Sequence, residues 1–560
     1  MKRKIRFIYF FIALVIFVSV VTGCKKFLDV NKNVNSPTPE KASVSLLLSS
    51  SERALANNMA LGTGLGNAMS VYTHQMTGRV AADRYGSGSQ GWDGIYTAIA
   101  NLNVIIKNGT AETRYKYAGI AKILKAYAYS ILVDVYGDVP FSEFDRFPEI
   151  KQPKFDLGKD IYPKLFAMID EGMADIANPA PNISTPGSDD YIYKGDTTKW
   201  KKAARTIKLK LYTQVRLVQN VQTEIRALLA NPALLINSQS ESFMMPYGPF
   251  ATTDDRHPAY NNDYNATQRG GQLFSPWLYE IMKGKNAGIF SGNPDPRVPY
   301  YIYNQKSANA LPENCTEYRD GGFISILFGS NGNCRDGSNS ATYSMFGIYP
   351  AGGRYEDGGA KAINANSGNI APINAGTGAL PHQFLTYADR LYLEAELINV
   401  GLALGNERTV FSSALNESFK QMDYLITTYV KPGNAGAPQV VPLVDTLAAT
   451  AAYKAAVLAA YDAGTPARKL EFIMTEKWIN RIENPVDSYT DYRRTDYPVM
   501  FSPAPVGNVT SVTAPDGKVT PVSNDRRYPL SLPFNTNEIA LNSNAPPQKV
   551  PENYKVFWDN

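Results

Sequence analysis

The distribution of apolar residues separates a short N-terminal leader from the rest of the chain. Apolar and small residues run without interruption from Phe7 to Val21, behind a basic start that contains no acid. This run is shorter than the ~20 apolar residues that a membrane-spanning helix needs. A basic start, a short apolar segment and small residues before a cleavage site are typical of a secretory signal. We therefore predict a signal peptide over residues 1–23.

The leader ends at a cysteine whose position indicates lipid attachment. Val21, Thr22 and Gly23 place one aliphatic and two small residues directly before Cys24, as in a lipobox. The Cys24 sulfur is the acceptor for a diacylglyceryl group, and several acyl chains together hold a protein stably at a membrane. An ordinary signal peptide with an accidental cysteine is the alternative. No later segment approaches the length of a span, so we predict membrane attachment through lipid on Cys24 alone.

Helical periodicity occupies both ends of the remaining chain. Residues 24–42 are polar and rich in Pro and Asn, which predicts a tether. Between residues 43 and 220 apolar residues recur at spacings of three and four, most clearly from Tyr117 to Val135, and Gly137 is placed to end that helix. Further helices are predicted over residues 156–177, 199–219, 384–404, 410–429, 446–463 and 467–483. We therefore predict a mainly α protein built from stacked helix pairs.

The middle of the chain has a different composition. Gly, Pro, Asn, Ser and Tyr crowd residues 235–380, a stretch too long to be one structureless loop in a compact domain, so short helices or hairpins are expected there. The tail from residue 496 is again rich in Pro and Asn and is predicted to be extended and wrapped on the body. We predict a single domain over residues 43–560. Its parts are N-terminal helical (43–220), loop-rich and ligand-facing (235–380), C-terminal helical (381–495) and tail (496–560).

Charge and composition limit the kinds of ligand. The chain has 56 basic and 51 acidic residues, and four of the basic ones lie in the leader, so the mature chain is close to neutral. A neutral chain offers no electrostatic basis for nucleic-acid binding. Tyrosine is abundant, with 35 residues against 5 Trp. Its flat apolar face and polar tip suit sugar or peptide ligands, and equally suit packing between helices.

Cysteine and histidine positions argue for a disulfide and against a metal site. Cys315 and Cys334 are the two cysteines left after lipidation, and both lie in loop-like sequence of an exported chain, where disulfides persist. We predict that they pair. The histidines are far apart in sequence and have no cysteine nearby, which argues against zinc. Residues 29–40 fit part of a calcium-loop template, but Val34 stands where the turn needs glycine, so a polar tether is the better interpretation.

The sequence lacks the motifs of familiar enzyme classes. Gly86 to Gly91 matches G-x-G-x-x-G as a string, without the preceding strand or the later acid that dinucleotide binding needs. We interpret it as a turn before a helix that begins at Trp92. No G-x-S-x-G, H-E-x-x-H or P-loop string occurs. Acid pairs such as Asp189-Asp190 could serve a glycosidase only at the right separation in space. We predict no enzymatic activity and no cofactor.

Several segments, in register along the chain, resemble one family. The clearest is Val133-Asp134-Val135-Tyr136-Gly137-Asp138-Val139-Pro140-Phe141-Ser142-Glu143, which resembles a signature of SusD/RagB-type nutrient-binding lipoproteins. The other matching segments are Trp92–Asn103, Asp295–Val298, Phe384–Glu396, Glu476–Trp478 with Tyr492–Pro498, and Arg527–Glu538. The resemblance therefore extends over most of the chain and is closest to the SusD-like subgroup.

The resemblance implies a fold, a location and a partner. It implies tetratricopeptide-like helix pairs with a long irregular, loop-rich insertion, at the surface of an outer membrane. It also implies a TonB-dependent, SusC-like transporter, over which the lipoprotein acts as a lid, and a glycan ligand or, in some members, a peptide. Ligand contacts vary between members, so none is carried over. The tether from Lys25 to Asp29 is less acidic than is usual for surface export, which leaves inward-facing attachment open. A glycan-acting enzyme and an adhesion lipoprotein remain alternatives.

Aromatic and arginine residues suggest where a glycan would bind. Sugar rings pack their C–H faces on aromatic planes, while their hydroxyls need polar partners. The sequence concentrates such residues in two groups. The first group is Arg84, Tyr85 and Trp92, and the second is Trp277, Tyr300, Tyr301, Tyr303, Tyr349, Arg354 and Tyr355. We favour Trp277 most, and note that Trp92 also fits a packing role. A peptide is the alternative ligand for the same groups.

Overall fold

The N-terminal part of the fold is a succession of long helices. The computed structural model describes residues 42–78, 85–86, 88–250, 252–265, 271–310, 316–330, 332, 334, 341–360, 376–431, 439–500 and 506–559. The longer helices of this part are α1 (Val44–Met59), α2 (Gly64–Tyr72), α3 (Trp92–Ala111), α4 (Tyr115–Tyr136), α5 (Gly158–Ala177), α6 (Thr197–Val215) and α7 (Gln222–Leu229). The helices predicted over residues 117–135, 156–177 and 199–219 are therefore confirmed.

Helix α4 lies in the centre of this part. Every residue from Tyr117 to Tyr136 except Lys122 is buried. Gly119 of α4 faces Gly172 of α5, and a Cβ atom on Gly119 would lie 2.5 Å from the Gly172 carbonyl oxygen. The two backbones approach closely here because neither residue carries a side chain. Gly137 follows α4 with φ 84°, a conformation that glycine adopts readily, and it ends the helix as predicted.

The C-terminal helices also follow the predicted pattern. They are preceded by the short helix α8 (Pro276–Met282). The later helices are α9 (Tyr387–Asn399), α10 (Glu407–Leu425), α11 (Ala448–Asp462), α12 (Pro466–Asn480), α13 (Pro485–Thr495) and α14 (Thr536–Leu541). Thr386 begins α9 with a capping box in which its side chain and that of Asp389 satisfy each other's backbone amides. The four helices predicted between residues 384 and 483 are confirmed, with boundaries shifted by a few residues.

Short strand pairs and single helical turns occur along the chain, and most of them lie in its middle part, as predicted. The strands are β1 (Met76–Gly78), β2 (Val139–Pro140), β3 (Phe155–Asp156), β4 (Phe243–Met245), β5 (Gln272–Phe274), β6 (Ile302–Tyr303), β7 (Tyr318–Asp320), β8 (Phe323–Ser325), β9 (Met345–Phe346) and β10 (His382–Leu385). They pair antiparallel as β1 with β5, β2 with β3, β4 with β10, β6 with β9 and β7 with β8. Single helical turns occur at Pro258–Tyr260, Val298–Tyr301 and Ile348–Ala351.

The tail contains more regular structure than its composition suggested. Strands β11 (Val509–Thr513) and β12 (Val519–Ser523) form an antiparallel hairpin, and α14 follows, so the prediction of an extended tail is wrong for these residues. The last residues do pack on the body. The Leu532 amide donates to the Val135 carbonyl at 2.9 Å, and the buried Trp558 indole donates to Asp134 at 2.8 Å.

Buried ion pairs connect segments that are far apart in sequence. Arg297, which is fully buried, pairs with Asp295 at 2.6 Å and with Glu476 at 2.7 Å. Arg493 donates to the Asp134 carbonyl at 2.7 Å and pairs with Asp559 at 2.9 Å. Such pairs fix the relative position of segments because an unpaired buried charge is costly.

Two histidines that are distant in sequence lie together. His257 and His382 both bond Glu483 Oε1, at 2.9 Å and 2.8 Å, and all three side chains are buried. These two histidines are therefore far apart in sequence but adjacent in the folded protein. No cluster of three or more His, Cys, Asp or Glu residues in the described part of the chain is arranged to hold a metal ion.

Several predictions concern residues outside the described ranges. The signal peptide, Cys24, the tether to residue 41, Arg84 and Cys315 all fall there. Cys334 is buried and takes part in a disulfide. Because Cys315 lies outside the described residues, its identity as the partner of Cys334 stays a prediction. Residues Val44–Asn560 form one compact unit. Among the described helices, none combines the length and the apolar character that crossing a membrane would require.

Candidate ligand-binding cleft

Most tyrosines of the second predicted group are part of the core. Tyr300, Tyr301, Tyr303 and Tyr349 are fully buried. The hydroxyl of Tyr300 donates to the Pro442 carbonyl at 2.8 Å, and that of Tyr301 donates to the Ile479 carbonyl at 2.9 Å. The Tyr349 hydroxyl reaches the Asn480 carbonyl at 3.3 Å. A ring with no exposed face cannot stack on a sugar, so we correct the assignment of these four residues to packing roles.

Arg354 and Tyr355 lie at the edge of the same tyrosine cluster. The Arg354 guanidinium stacks 4.4 Å above the Tyr303 ring and is 6% exposed, so its assignment to ligand binding is also corrected to packing. Tyr355 is partly exposed and packs against Tyr300, with ring centroids 4.9 Å apart. Tyr355 therefore remains available as a contact residue.

The described members of the first predicted group are buried as well. Tyr85 is 8% exposed, and its hydroxyl lies 2.9 Å from His74 Nε2. Trp92 is 3% exposed and meets Tyr136 edge to face, with ring centroids 4.9 Å apart. Both residues therefore pack in the core, and their assignment to ligand binding is corrected. For Trp92, the first residue of α3, this is the packing role that its helix motif suggested. The turn interpretation of Gly86–Gly91 agrees with the φ of 77° at Gly91, which precedes α3.

Trp277 is different because it lines an open cleft. The Ser275 side chain caps α8 by accepting from the Trp277 amide at 3.2 Å, and Pro276 occupies the first helical position. Leu278, Ile281 and Met282 are buried, whereas Trp277 and Glu280 are partly exposed. Trp277 forms one wall of a cleft of about 530 Å³. This volume is in the range of small-ligand pockets.

Helix α12 supplies the facing polar wall. Arg468, Glu471 and Thr475 line the cleft, and their spacing of three and four residues places them on one face of the helix. Arg468 donates to Glu471 and to the Gly288 carbonyl, each at 2.5 Å. The Thr475 hydroxyl is fully buried and makes no hydrogen bond to any of the described residues. Because this hydroxyl is closed off from solvent, the polar groups of this wall that a ligand can reach are those of the partly exposed Arg468 and Glu471.

The remaining lining residues give the cleft an apolar part and a second set of charges. Asn286 Oδ1 accepts from the Gly288 and Ile289 amides at 2.8 Å and 3.1 Å, which shapes the turn after α8. The full lining is Trp277, Glu280, Lys285, Asn286, Ala287, Gly288, Ile289, Arg468, Glu471, Thr475, Pro498 and Val499. An aromatic plane beside apolar and hydrogen-bonding groups matches the two kinds of surface that a sugar presents.

The ionisable groups near the cleft are held in place by neighbours. The Tyr318 hydroxyl donates to Glu280 Oε1 at 2.9 Å. Burial raises the pKa of Glu280, while the Tyr318 hydrogen bond and the Lys285 charge oppose that effect. Lys285 pairs with Asp320, which also accepts from Tyr279 at 2.8 Å. Burial acts to raise the pKa of Asp320, but these two hydrogen bonds keep it below its ordinary value.

Trp277, the residue that the sequence favoured most, lines the cleft, whereas the polar wall on α12 was not predicted. The signal for the wall is the polar set Arg468, Glu471 and Thr475 at i, i+3 and i+7, which predicts one shared helix face. Nothing in the sequence indicates that this face meets α8, about 190 residues earlier in the chain. The two walls therefore emerge only in the folded protein.

Comparison with solved structures identifies the fold. A SusD homologue from Bacteroides fragilis NCTC 9343 is similar with a TM-score of 0.64 and 16% identity, over 92% of this chain and 99% of that chain. A structure named as a chitin-binding protein gives 0.63 and 20%, over 92% and 100%. A chitin-binding SusD homologue from Flavobacterium johnsoniae gives 0.61 and 17%, over 92% and 98%. At these identities the similarity shows a common fold.

Comparison at the level of sequence identifies the family. No curated protein has a recognisably similar sequence. The SusD-like family model described as "Starch-binding associating with outer membrane" matches residues 35–521, which is most of the chain. The resemblance drawn from the motifs and the expected mainly α fold are both confirmed. This protein therefore belongs to the SusD-like family of starch-binding proteins that associate with the outer membrane.

Proposed function

We propose that this protein captures a glycan in the Trp277 cleft and passes it to a TonB-dependent, SusC-like transporter, over which it acts as a lid. Family membership supports a glycan ligand and an outer-membrane location. The observation that carries the choice of site is the partly exposed Trp277 ring on the wall of a cleft of about 530 Å³. We also propose that the protein binds its ligand without cleaving it, as the binding character of the family suggests.

The chemistry of the cleft supports a sugar ligand. The Trp277 indole offers a plane for the C–H face of a pyranose ring. The carboxylate and amide groups of Glu280, Glu471 and Asn286 offer partners for sugar hydroxyls. Two similar structures are named as chitin-binding, which favours a glycan over a peptide here as well. A peptide would use the polar groups and gain less from the aromatic plane.

Trp277→Ala is expected to raise the Kd for a bound oligosaccharide by about ten- to a hundredfold. Truncating an aromatic residue at the centre of a binding site costs on the order of 1–3 kcal/mol. The measurement is calorimetry with panels of starch-type, chitin-type and other oligosaccharides, alongside a peptide panel. Binding only to peptides would contradict the glycan proposal.

The controls separate the cleft from other exposed aromatic surface. Phe147→Ala removes an aromatic side chain that is 72% exposed and does not line the cleft, so its affinity should equal that of the wild type. Tyr355→Ala tests the other partly exposed aromatic residue of the predicted groups. Circular dichroism should first establish that each variant is folded. Unchanged affinity in Trp277→Ala would remove the cleft from consideration.

The proposed anchor has its own test. Cys24→Ala is expected to move the protein from the outer-membrane fraction to the soluble fraction, because lipid on Cys24 is the proposed attachment. Fractionation followed by immunoblotting measures the distribution, and metabolic labelling with a palmitate analogue reports acylation directly. Protease treatment of intact cells then distinguishes surface exposure from inward-facing attachment. A Cys24→Ala protein that still sediments with outer membranes would place the anchor elsewhere.

A further inference from the structure

Glu280 shares the cleft with the stacking residue. It lies three residues after Trp277 on α8, and residues at this spacing are neighbours on a helix surface. These two side chains are partly exposed at the cleft, while Leu278, Ile281 and Met282 between and after them are buried. A ligand ring on the Trp277 plane would therefore lie beside the Glu280 carboxylate.

The two cations that line the cleft, Arg468 and Lys285, are both paired with groups of the protein itself. Arg468 donates to Glu471 and to the Gly288 carbonyl. The Lys285 ammonium is paired with Asp320. Glu280, in contrast, makes no ion pair with any described residue and has the Tyr318 hydroxyl as its hydrogen-bond donor. Of the two carboxylates that line the cleft, Glu471 is therefore paired with Arg468, and Glu280 is the one that no ion pair among the described residues neutralises.

The charge of Glu280 indicates which class of glycan the cleft accepts. We propose that the cleft selects uncharged glycans, and that Glu280 excludes sugars that carry a sulfate or a carboxylate at the ring stacked on Trp277. The inference rests on the proposed glycan-binding function and assigns its specificity to one residue. A neutral sugar hydroxyl donates to the Glu280 carboxylate, whereas an anionic group offers no donor and meets a like charge in a partly desolvated site.

The test compares matched ligands rather than single affinities. The probes are neutral oligosaccharides on an array, each paired with its 6-O-sulfated counterpart, followed by calorimetry on the pairs that give binding. In the wild type we expect the sulfated member to bind about tenfold more weakly or worse. Glu280→Gln keeps the shape of the side chain and an oxygen that can accept from Tyr318, but it removes the charge. It should therefore bring the ratio of the two affinities to near one, chiefly because the sulfated member binds more tightly than it does to the wild type.

Two controls keep the result specific. Glu224→Gln removes an exposed carboxylate that does not line the cleft, and it should leave the ratio unchanged. Raising the salt concentration should narrow the ratio in the wild type, since repulsion between charges is screened. Thermal denaturation of each variant confirms that it is folded before binding is measured.

The outcomes distinguish this inference from the function on which it rests. Equal or tighter binding of the sulfated members by the wild type would overturn the selectivity while leaving glycan binding intact. An unchanged ratio in Glu280→Gln would overturn the assignment to that residue. If no oligosaccharide of either kind binds, the proposed function fails and the selectivity fails with it.

Discussion

Replacing Arg297 by methionine is expected to lower the free energy of unfolding by about 3–5 kcal/mol. The Arg297 guanidinium lies 4.5 Å from the centre of the Phe419 ring and binds Asp295 through Nε at 3.0 Å and through Nη2 at 2.6 Å. Its Nη2 atom also donates to Glu476 at 2.7 Å. Methionine fills a similar volume but leaves two buried carboxylates without their cation.

Glu476 shows why this loss should be large. Burial raises the pKa of Glu476 even with Arg297 beside it. Without the guanidinium, Glu476 must be protonated or remain as an uncompensated buried charge, and either state costs free energy. Urea denaturation followed by circular dichroism measures the change in the free energy of unfolding.

A matched pair at the surface provides the control. Arg408 pairs with Asp462 at 2.7 Å, but the two side chains are 53% and 43% exposed. Arg408→Met should therefore leave the urea midpoint within experimental error of the wild type, because solvent screens an exposed pair. Equal effects of Arg297→Met and Arg408→Met would show that burial of the ion pair does not determine its contribution.

The contacts of Arg297 also explain what the sequence motifs represent. Asp295–Val298 and Glu476–Trp478 were recognised as separate segments of one family pattern, and the folded chain joins them through the Arg297–Glu476 pair. The segments Val133–Glu143 and Tyr492–Pro498 meet in the same way, through Arg493 and the Asp134 carbonyl. The motifs therefore predicted the scaffold well, because they are its internal contacts.

Helices were predictable where one apolar stripe faces the core.

The hairpin in the tail was not predicted, although its sequence contains a pattern typical of a hairpin turn. Asp516-Gly517 lies between two runs rich in Val and Thr, which is a pattern typical of a hairpin turn, and Gly517 has φ 85°. The Pro and Asn residues on both sides of it give the tail the composition of an extended segment. Local composition therefore misled where a short-range pattern was informative.

The ligand residues were harder to predict than the helices. A tyrosine in loop sequence has the same local pattern whether its ring is exposed or buried. The hydroxyl of the buried Tyr301 donates to the carbonyl of Ile479, which lies 178 residues later in the chain. The periodicity of the sequence does not indicate such a distant partner. Trp277 is partly exposed because an open cleft lies between it and α12. Which aromatic rings remain exposed is thus a property of long-range packing.

Replacing Glu483 by glutamine is expected to produce a stability loss that depends on pH. Glu483 Oε1 bonds His257 and His382, and Oε2 accepts from the Gln383 amide at 2.7 Å. Burial acts to raise the pKa of Glu483, but the charges and hydrogen bonds of the two histidines outweigh it and lower the pKa to about 2. Glutamine has one acceptor in place of two oxygens and cannot carry the charge that these neighbours stabilise.

The direction of the pH effect follows from the lowered pKa of Glu483. A carboxyl whose pKa falls from 4.5 in the unfolded chain to about 2 in the folded protein stabilises the fold fully above pH 4.5. That stability is lost as the pH falls from 4.5 towards 2, and the shift corresponds to about 3 kcal/mol. Glu483→Gln should therefore be less stable than the wild type above pH 4.5, and the difference should shrink as the pH falls below 4.5. Urea denaturation at pH 7, 5, 4 and 3 measures the difference in the free energy of unfolding between this variant and the wild type. The control is Glu224→Gln at an exposed position, whose free energy of unfolding should differ little from that of the wild type at each pH. A difference that stays constant down to pH 3 would show that the histidine–carboxylate cluster contributes through its shape and not through its charge.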